Sequence, residues 1–179
     1  MARHMTEREL VELLRWHILR ADSQRGGMWT RAAAVLSADA LVIAGAAVLV
    51  SAANKAAWWS LLTAALPLVA AMISVYEASN VIGGVRDWGR TFAEKDSPTP
   101  MFYSLPETVK SLITYDQFRS ALTGRSIEGE LEDAASELWR ISVLHRVRLH
   151  QLRRSMRWLQ ASLPLLILSV GVITASLAG

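Results

Sequence analysis

Arginines gathered in one short segment, His145–Arg157, are the residues of this 179-residue chain best suited to chemistry. Five arginines and two histidines lie there with no acidic residue among them. An arginine fork pairs with two phosphate oxygens at once, so the segment suits either a phosphate-bearing ligand or anionic lipid headgroups. Nucleic acid is not expected as a partner, because acidic residues elsewhere reduce the net charge to only +3.

The sequence indicates neither catalysis nor a metal site. It contains no cysteine, which removes thiolate catalysis and cysteine ligands. His145 and His150 are five residues apart and would point to different faces of a helix. Phosphate-loop, dinucleotide, serine-hydrolase and zinc-protease motifs are absent from the sequence. We therefore predict no catalytic residue, no metal, no cofactor and a protein that is not an enzyme.

Asp39 is the one charged residue in an apolar run over 32–53. A carboxylate at the centre of a bilayer costs about 2.5–3.5 kcal/mol on insertion scales. Asp39 could line a pore or pair two helices, together with the small residues Ser37 and Gly45. Alternatively it lies near the end of the span, since Arg31 is only eight residues away.

The elements that carry these residues follow from the segregation of charge. Apolar residues make up 52% of the chain and charged residues 20%, with a mean hydropathy of +0.25. Three apolar runs, 32–53, 56–76 and 161–178, are long enough to cross a bilayer; the first has 22 residues, or about 33 Å as a helix. Because only Asn54 and Lys55 separate the first two runs, we expect an antiparallel hairpin. Pro67 and Pro164 are tolerated within membrane helices.

The polar segments are also predicted to be helical. Thr6 and Glu9 form a capping-box pattern that predicts a helix start. Gly26-Gly27 either bends the chain or lies within a continuing helix. A further helix is expected over 104–122, ending at Gly124, and a long one from about Ser126 that passes into the third run. Its apolar positions form one stripe for packing: Leu131, Ala134, Leu138, Ile141, Leu144, Leu152, Met156 and Leu159.

These elements predict an all-α membrane protein: a two-span helical hairpin plus a long cytosolic helix that continues into a third transmembrane helix. The expected segments are a cytosolic amphipathic helix (1–31), the hairpin (32–76), a cytosolic helical sensor (77–158) and the C-terminal span (159–179). Six arginines precede the first span and five precede the third, whereas the connecting loop holds only Lys55. The positive-inside rule therefore places the N-terminus in the cytosol.

In this order of features the chain resembles the transmembrane effectors of bacterial Pycsar antiphage systems and, more loosely, the SLATT membrane domains. The family pattern is an amphipathic helix, an Ala-Asp turn, a hairpin, an insert with an aromatic motif, and a basic helix entering a final span. The matching segments are Arg20–Gln24, Ala32–Tyr76, Phe102-Tyr103 with Asp116–Phe118, and Leu138–Leu177. Where family members often carry a lysine after the turn, this chain has Gln24 and Arg25.

The resemblance implies a multi-pass protein of the bacterial inner membrane. It would sense a cyclic nucleotide, cyclic UMP or cyclic CMP, and then permeabilise the membrane as a homo-oligomer. The residues it suggests for the phosphate are Arg86, Arg90, Arg119, Arg140 and Arg146. The aromatic segments Trp88–Phe92 and Met101–Tyr103 could stack on a base or form a small core.

Two other functions fit the same elements. A small membrane scaffold would use the stripe on the long helix to dock a partner or a second copy. A holin-like pore protein would match the size and the number of spans, although a large cytosolic insert is unusual for that class.

Overall fold

The computed structural model describes residues 5–53, 58–83, 112 and 114–178, and these residues form four helices and no strand. The helices are α1 (Glu7–Ala53), α2 (Trp58–Gly83), α3 (Tyr115–Thr123) and α4 (Ile127–Ala178). α1, α2 and α4 are each long and apolar enough to cross a membrane. The predicted all-α membrane fold is thereby confirmed.

α1 begins at the predicted capping box. The Thr6 N–H donates to Glu9 Oε2 at 2.8 Å, and the Glu9 N–H donates to Thr6 Oγ1 at 3.4 Å. The hydrogen bond from the Thr6 backbone lowers the pKa of the exposed Glu9 carboxyl. The helix then continues unbroken through Gly26-Gly27 to Ala53. The first polar segment and the first span are therefore one helix of 47 residues, and no turn interrupts it at Arg20–Gln24.

α3 and α4 also have side-chain caps. A second capping box joins Thr114 and Gln117, and the N–H of the C-cap residue Gly124 donates to the Ser120 carbonyl at 3.0 Å. Ser126 Oγ accepts from the Gly129 N–H at 3.1 Å just before α4 begins. The predicted end at Gly124 and the continuous helix from the basic run into the third span are both confirmed. The predicted start at 104 is wrong over the described residues, because Thr114 has an extended backbone and caps a helix that begins at Tyr115; residues 104–111 and 113 lie outside the described residues.

The chain divides into two compact units. Unit 1 comprises residues 1–25 and 87–146, and unit 2 comprises residues 26–86 and 147–179. α1 and α4 each contribute residues to both units. This structural division differs from the four membrane-topology segments expected above, which stay a prediction.

In unit 2 the spans pack through small side chains. Ala32, Val35, Ala78, Val81 and Leu152 form one buried cluster. The buried positions of α1 in this unit are spaced alternately by four and three residues, the period of left-handed helix packing: they are Met28, Ala32, Val35, Asp39, Val42 and Ala46. Larger apolar side chains face outward, with Leu41 76% and Ile167 74% exposed. Small residues inside and large apolar residues outside are typical of helices that pack in lipid.

Unit 1 contains buried apolar residues from both long helices. Val11 and Ile18 of α1 and Ala134 and Leu144 of α4 are buried. Arg15 of α1 forms a hydrogen-bonded ion pair with Glu130 of α4. The N-terminal part of α1 is thus joined to α4 by an ion pair.

Candidate functional site

The three long helices of unit 2 meet at a buried polar contact. The Ser74 hydroxyl of α2 lies 2.8 Å from Asp39 Oδ2 of α1 and 3.0 Å from the Ser155 carbonyl of α4. Ser155 Oγ in turn donates to the Ser74 carbonyl at 3.0 Å. All three residues are fully buried. The contact therefore links every span of the unit through side chains that have almost no bulk.

The hydrogen bonding of this contact is incomplete. The Ser74 hydroxyl carries a single proton and has three acceptors within reach: Asp39 Oδ2, the Ser155 carbonyl and Ser155 Oγ at 3.1 Å. Asp39 Oδ1 is buried and has no hydrogen-bond partner among the described residues. A buried carboxylate oxygen without a donor is costly, so hydration of Asp39 would offset part of the cost of separating the helices.

The position of Asp39 agrees with two interpretations left open by the sequence: that it pairs helices and that it lies near the end of a span. Asp39 pairs helices, as its contact with Ser74 shows. It also lies near the charged end of the apolar bundle, because Ser155 directly follows Arg154, whose Nε is 3.1 Å from Glu77 Oε1. Asp39 is therefore about one helical turn from the ion pair that ends the apolar region.

Of the two small residues proposed beside Asp39, the structure supports only Gly45 at the interface. A Cβ on Gly45 would stand 3.5 Å from a Leu166 methyl of α4, which is ordinary contact distance. Ser37 is exposed, and its hydroxyl donates to the Ala33 carbonyl of its own helix at 3.0 Å. Ser37 was predicted wrongly because it lies two positions before Asp39, roughly 200° around the helix.

A stripe of serines on α4 was not recognised from the sequence. Ser155, Ser162 and Ser169 are seven residues apart and at most 1% exposed. Ser169 Oγ lies 2.7 Å from the Thr63 carbonyl of α2, a second polar link between these helices. Met156, which was placed on the packing stripe, is 45% exposed instead. The signal that could have found the stripe is the exact seven-residue spacing of three small residues.

Unit 1 holds a half-buried cluster of charges. Burial raises the pKa of the Glu137 carboxyl, although the guanidinium groups of Arg140 and Arg25 oppose that shift. Arg140 Nη1 lies 4.0 Å from Glu137 Oε2, too far for a hydrogen bond. Before the cluster, Arg125 forms an ion pair with Asp133 across the first two turns of α4.

The structure describes three of the five arginines suggested for phosphate binding, which stay a prediction. Arg86 and Arg90 lie outside the described residues, as do the aromatic segments 88–92 and 101–103. Arg119 is exposed on α3, and Arg146 is exposed on α4. Arg140 lies beside Glu137, and its position six residues before Arg146 places the two side chains about 120° apart on the helix.

The basic run itself forms an open groove in unit 2. His150, Arg153, Arg154, Arg157, Trp158 and Ala161 line a space of about 560 Å³. Among the described residues no group of three or more histidines and carboxylates could hold a metal ion. The arginines of α4 are therefore divided between the units, with Arg140 and Arg146 in unit 1 and the groove in unit 2.

Comparison with known proteins gives one assignment. No curated protein and no solved structure matches the chain. The family model of the Pycsar effector protein domain matches residues 14–175, which covers α2, α3 and nearly all of α1 and α4. With three helices that can span a membrane and a family match over nearly its whole length, the chain belongs to the Pycsar effector family and is a membrane protein of antiphage defence.

Proposed function

We propose that this protein senses a cyclic pyrimidine nucleotide, cyclic UMP or cyclic CMP, and in response permeabilises the inner membrane as a homo-oligomer. It acts without catalysing a reaction. The observation that carries the proposal is the contact of Asp39, Ser74 and Ser155, where all three spans are joined by buried polar groups. Family membership supports the same role.

The contact suits a membrane protein that must change state. Hydrogen bonds between membrane helices contribute about 0.6 kcal/mol on average, so a few of them hold the spans together only weakly. Asp39 would gain a hydrogen bond on contact with water or with a second copy, because its Oδ1 has no donor among the described residues. A lumen that opens beside Asp39 would hydrate the carboxylate and so offset part of the cost of separating the helices.

Self-association is part of the proposal for a geometric reason. The centre of unit 2 is filled by residues with no exposed surface, such as Asp39, Ala64 and Ser155. Three closely packed helices leave no room for a conducting lumen, so permeation requires several copies. The exposed apolar faces, which include Leu41 and Ile167, provide surfaces on which copies can pack.

The nucleotide would act through unit 1. Arg119 and Arg146 of this unit have exposed side chains that can reach a phosphate, whereas Arg86 and Arg90 lie outside the described residues. α4 continues without a break from the unit 1 residues to the third span, which gives binding a direct mechanical route to the bundle. The ligand must bind the open state more tightly than the closed state, since equal affinity would shift nothing. On the positive-inside rule we expect unit 1 to lie in the cytosol, where a cyclic nucleotide could reach it.

The test uses the full chain in liposomes that hold a self-quenched dye. Cyclic UMP, cyclic CMP, cyclic AMP and cyclic GMP are added in turn, with protein-free liposomes as the blank. We expect leakage with one pyrimidine nucleotide alone, and we expect Arg119→Gln/Arg146→Gln to require more of it. Arg8→Gln/Arg20→Gln is the matched control, because it removes two exposed charges from α1.

Three results would count against the proposal. Leakage without nucleotide would indicate a holin-like pore. An absence of leakage from folded, inserted protein would favour a membrane scaffold. Equal responses of the arginine variant and its control would remove Arg119 and Arg146 from the sensor.

A further inference from the structure

The groove on α4 has a cationic end and an apolar end. His150, the adjacent pair Arg153 and Arg154, and Arg157 fall on successive turns, three or four positions from one turn to the next, so they share one face of the helix. Trp158 and Ala161 complete the lining one turn further along the chain, toward the apolar run. The groove therefore changes character along the axis of α4, from charged to apolar.

An ion pair in unit 2 indicates that the charged end of the groove meets its apolar end at a membrane surface. Arg154 Nε contacts Glu77 Oε1 at 3.1 Å, and Glu77 is the first charged residue after a run of 19 uncharged residues, 58–76. That run is about 28 Å long as a helix, close to the thickness of the hydrocarbon core. On α4 no charged residue follows Arg157. Both helices thus locate the headgroup level at Arg154, in the middle of the groove.

The groove carries more positive charge than the protein itself neutralises. Arg154 forms an ion pair with Glu77. Arg153 and Arg157 are exposed and form no ion pair within the described residues. Arginine forks match phosphate oxygens, and tryptophan is favoured at the level of lipid headgroups. A soluble phosphate or nucleotide would use the arginines but would leave the Ala161 end, which lies inside the apolar run, without a partner.

We propose that this groove binds the headgroup of an anionic phospholipid, with the phosphate at Arg153 and Arg157 and the glycerol and upper acyl chain along Trp158 and Ala161. The binding holds α4 at a fixed depth next to the contact of Ser155 with Ser74. It makes the lipid a structural partner of the protein. This role is independent of any cyclic nucleotide, so it can fail or succeed apart from the proposed function.

The test is native mass spectrometry of the full chain in detergent, titrated with phosphatidylglycerol or phosphatidylcholine of identical acyl chains. We expect phosphatidylglycerol to be retained preferentially. Arg153→Gln/Arg157→Gln should weaken that retention about 20- to 30-fold, from about fivefold for each basic residue at the surface. Arg8→Gln/Arg20→Gln loses the same charge outside the groove and should retain the lipid unchanged.

A second variant separates the groove from charge alone. Ala161→Leu keeps every arginine and fills the apolar end, so it should also reduce retention of phosphatidylglycerol if the acyl chain lies there. Size-exclusion elution and circular dichroism check that each variant is folded. Inorganic phosphate and cyclic UMP are added as soluble competitors, and neither should displace the lipid.

Three outcomes would overturn the proposal. The first is equal retention of the two lipids, and the second is equal loss in the groove variant and its α1 control. The third is displacement of phosphatidylglycerol by phosphate or cyclic UMP at concentrations similar to that of the lipid, which would assign the arginines to a soluble anion.

Discussion

Replacing Ser155 by leucine tests whether the contact between α2 and α4 holds the spans together. Ser155 has no exposed surface, and its Oγ lies 3.0 Å from the Ser74 carbonyl and 3.1 Å from Ser74 Oγ. The helices approach so closely here that a side chain three heavy atoms larger than an alanine has no space. Leucine at this position must push α2 and α4 apart.

The expected cost has two parts. Ser155→Ala loses the hydrogen bond to the Ser74 carbonyl, worth about 0.6–1.7 kcal/mol in a membrane, and leaves the backbone of Ser155 available to Ser74. Ser155→Leu loses the same bond and adds overpacking of about 1–3 kcal/mol. We therefore expect destabilisation of roughly 1 kcal/mol for alanine and roughly 2–5 kcal/mol for leucine.

The assay is unfolding of the full chain in mixed micelles with increasing dodecyl sulfate, followed by tryptophan fluorescence. Met156→Leu is the matched control, since Met156 is the next residue on α4 and is 45% exposed; it should change stability by less than about 0.5 kcal/mol. In dye-loaded liposomes Ser155→Leu should also leak without nucleotide. If Ser155→Leu were as stable as Met156→Leu, the close contact of α2 with α4 would be refuted.

Three further predictions concern single interactions. Asp39→Val should raise the free energy of unfolding by up to about 2 kcal/mol, since a buried carboxylate oxygen without a donor costs about 1–3 kcal/mol and the hydrogen bond to Ser74 contributes about 0.6 kcal/mol; a loss of stability in the same micelle titration would contradict this. Burial raises the pKa of Glu137 above 4.5, so the native state holds more protons than the unfolded state just above pH 4.5, and stability falls as pH rises through that window. Glu137→Gln should therefore unfold at a higher temperature than the parent chain at pH 7.5 and at the same temperature below pH 4.5, and a difference that persists at low pH would exclude this cause. The ion pair of Arg15 with Glu130 joins side chains that are 50% and 26% exposed, so a double-mutant cycle should give a coupling of less than about 1 kcal/mol, and a larger value would indicate a desolvated pair.

The all-α membrane fold could be predicted from the sequence because the relevant signals are local. An apolar run of sufficient length specifies a spanning helix, since every backbone group must be satisfied within the bilayer. The capping residues Thr6 and Gly124 act on groups within three or four positions, so they too can be recognised without tertiary information. The order of these local signals also carried the resemblance that the match over residues 14–175 confirms.

The sequence left one local question open at Gly26-Gly27, and the structure answers it with a continuous helix. Two glycines lower helix propensity by about 1 kcal/mol each relative to alanine, but tertiary contacts on either side outweigh that cost. Apart from the adjacent residues and the backbone of α1 itself, no atom of the described residues would lie within 4 Å of a Cβ on either glycine, so their packing does not require glycine. The pattern was ambiguous because the compensating contacts come from residues distant in sequence.

Which residues face one another was decided only by the tertiary structure. Asp39, Ser74 and Ser155 are separated by 35 and 81 positions, and nothing in their local sequence specifies that they meet. Their contact depends on the register of three helices, which is set by the sum of many small packing terms along the seams. Serine stands out in a soluble core but is common in membrane helices, so the serine stripe carried little signal until the buried face of α4 was known. The sequence determined that the chain crosses the membrane, and the packing of small side chains determined where its polar groups are held.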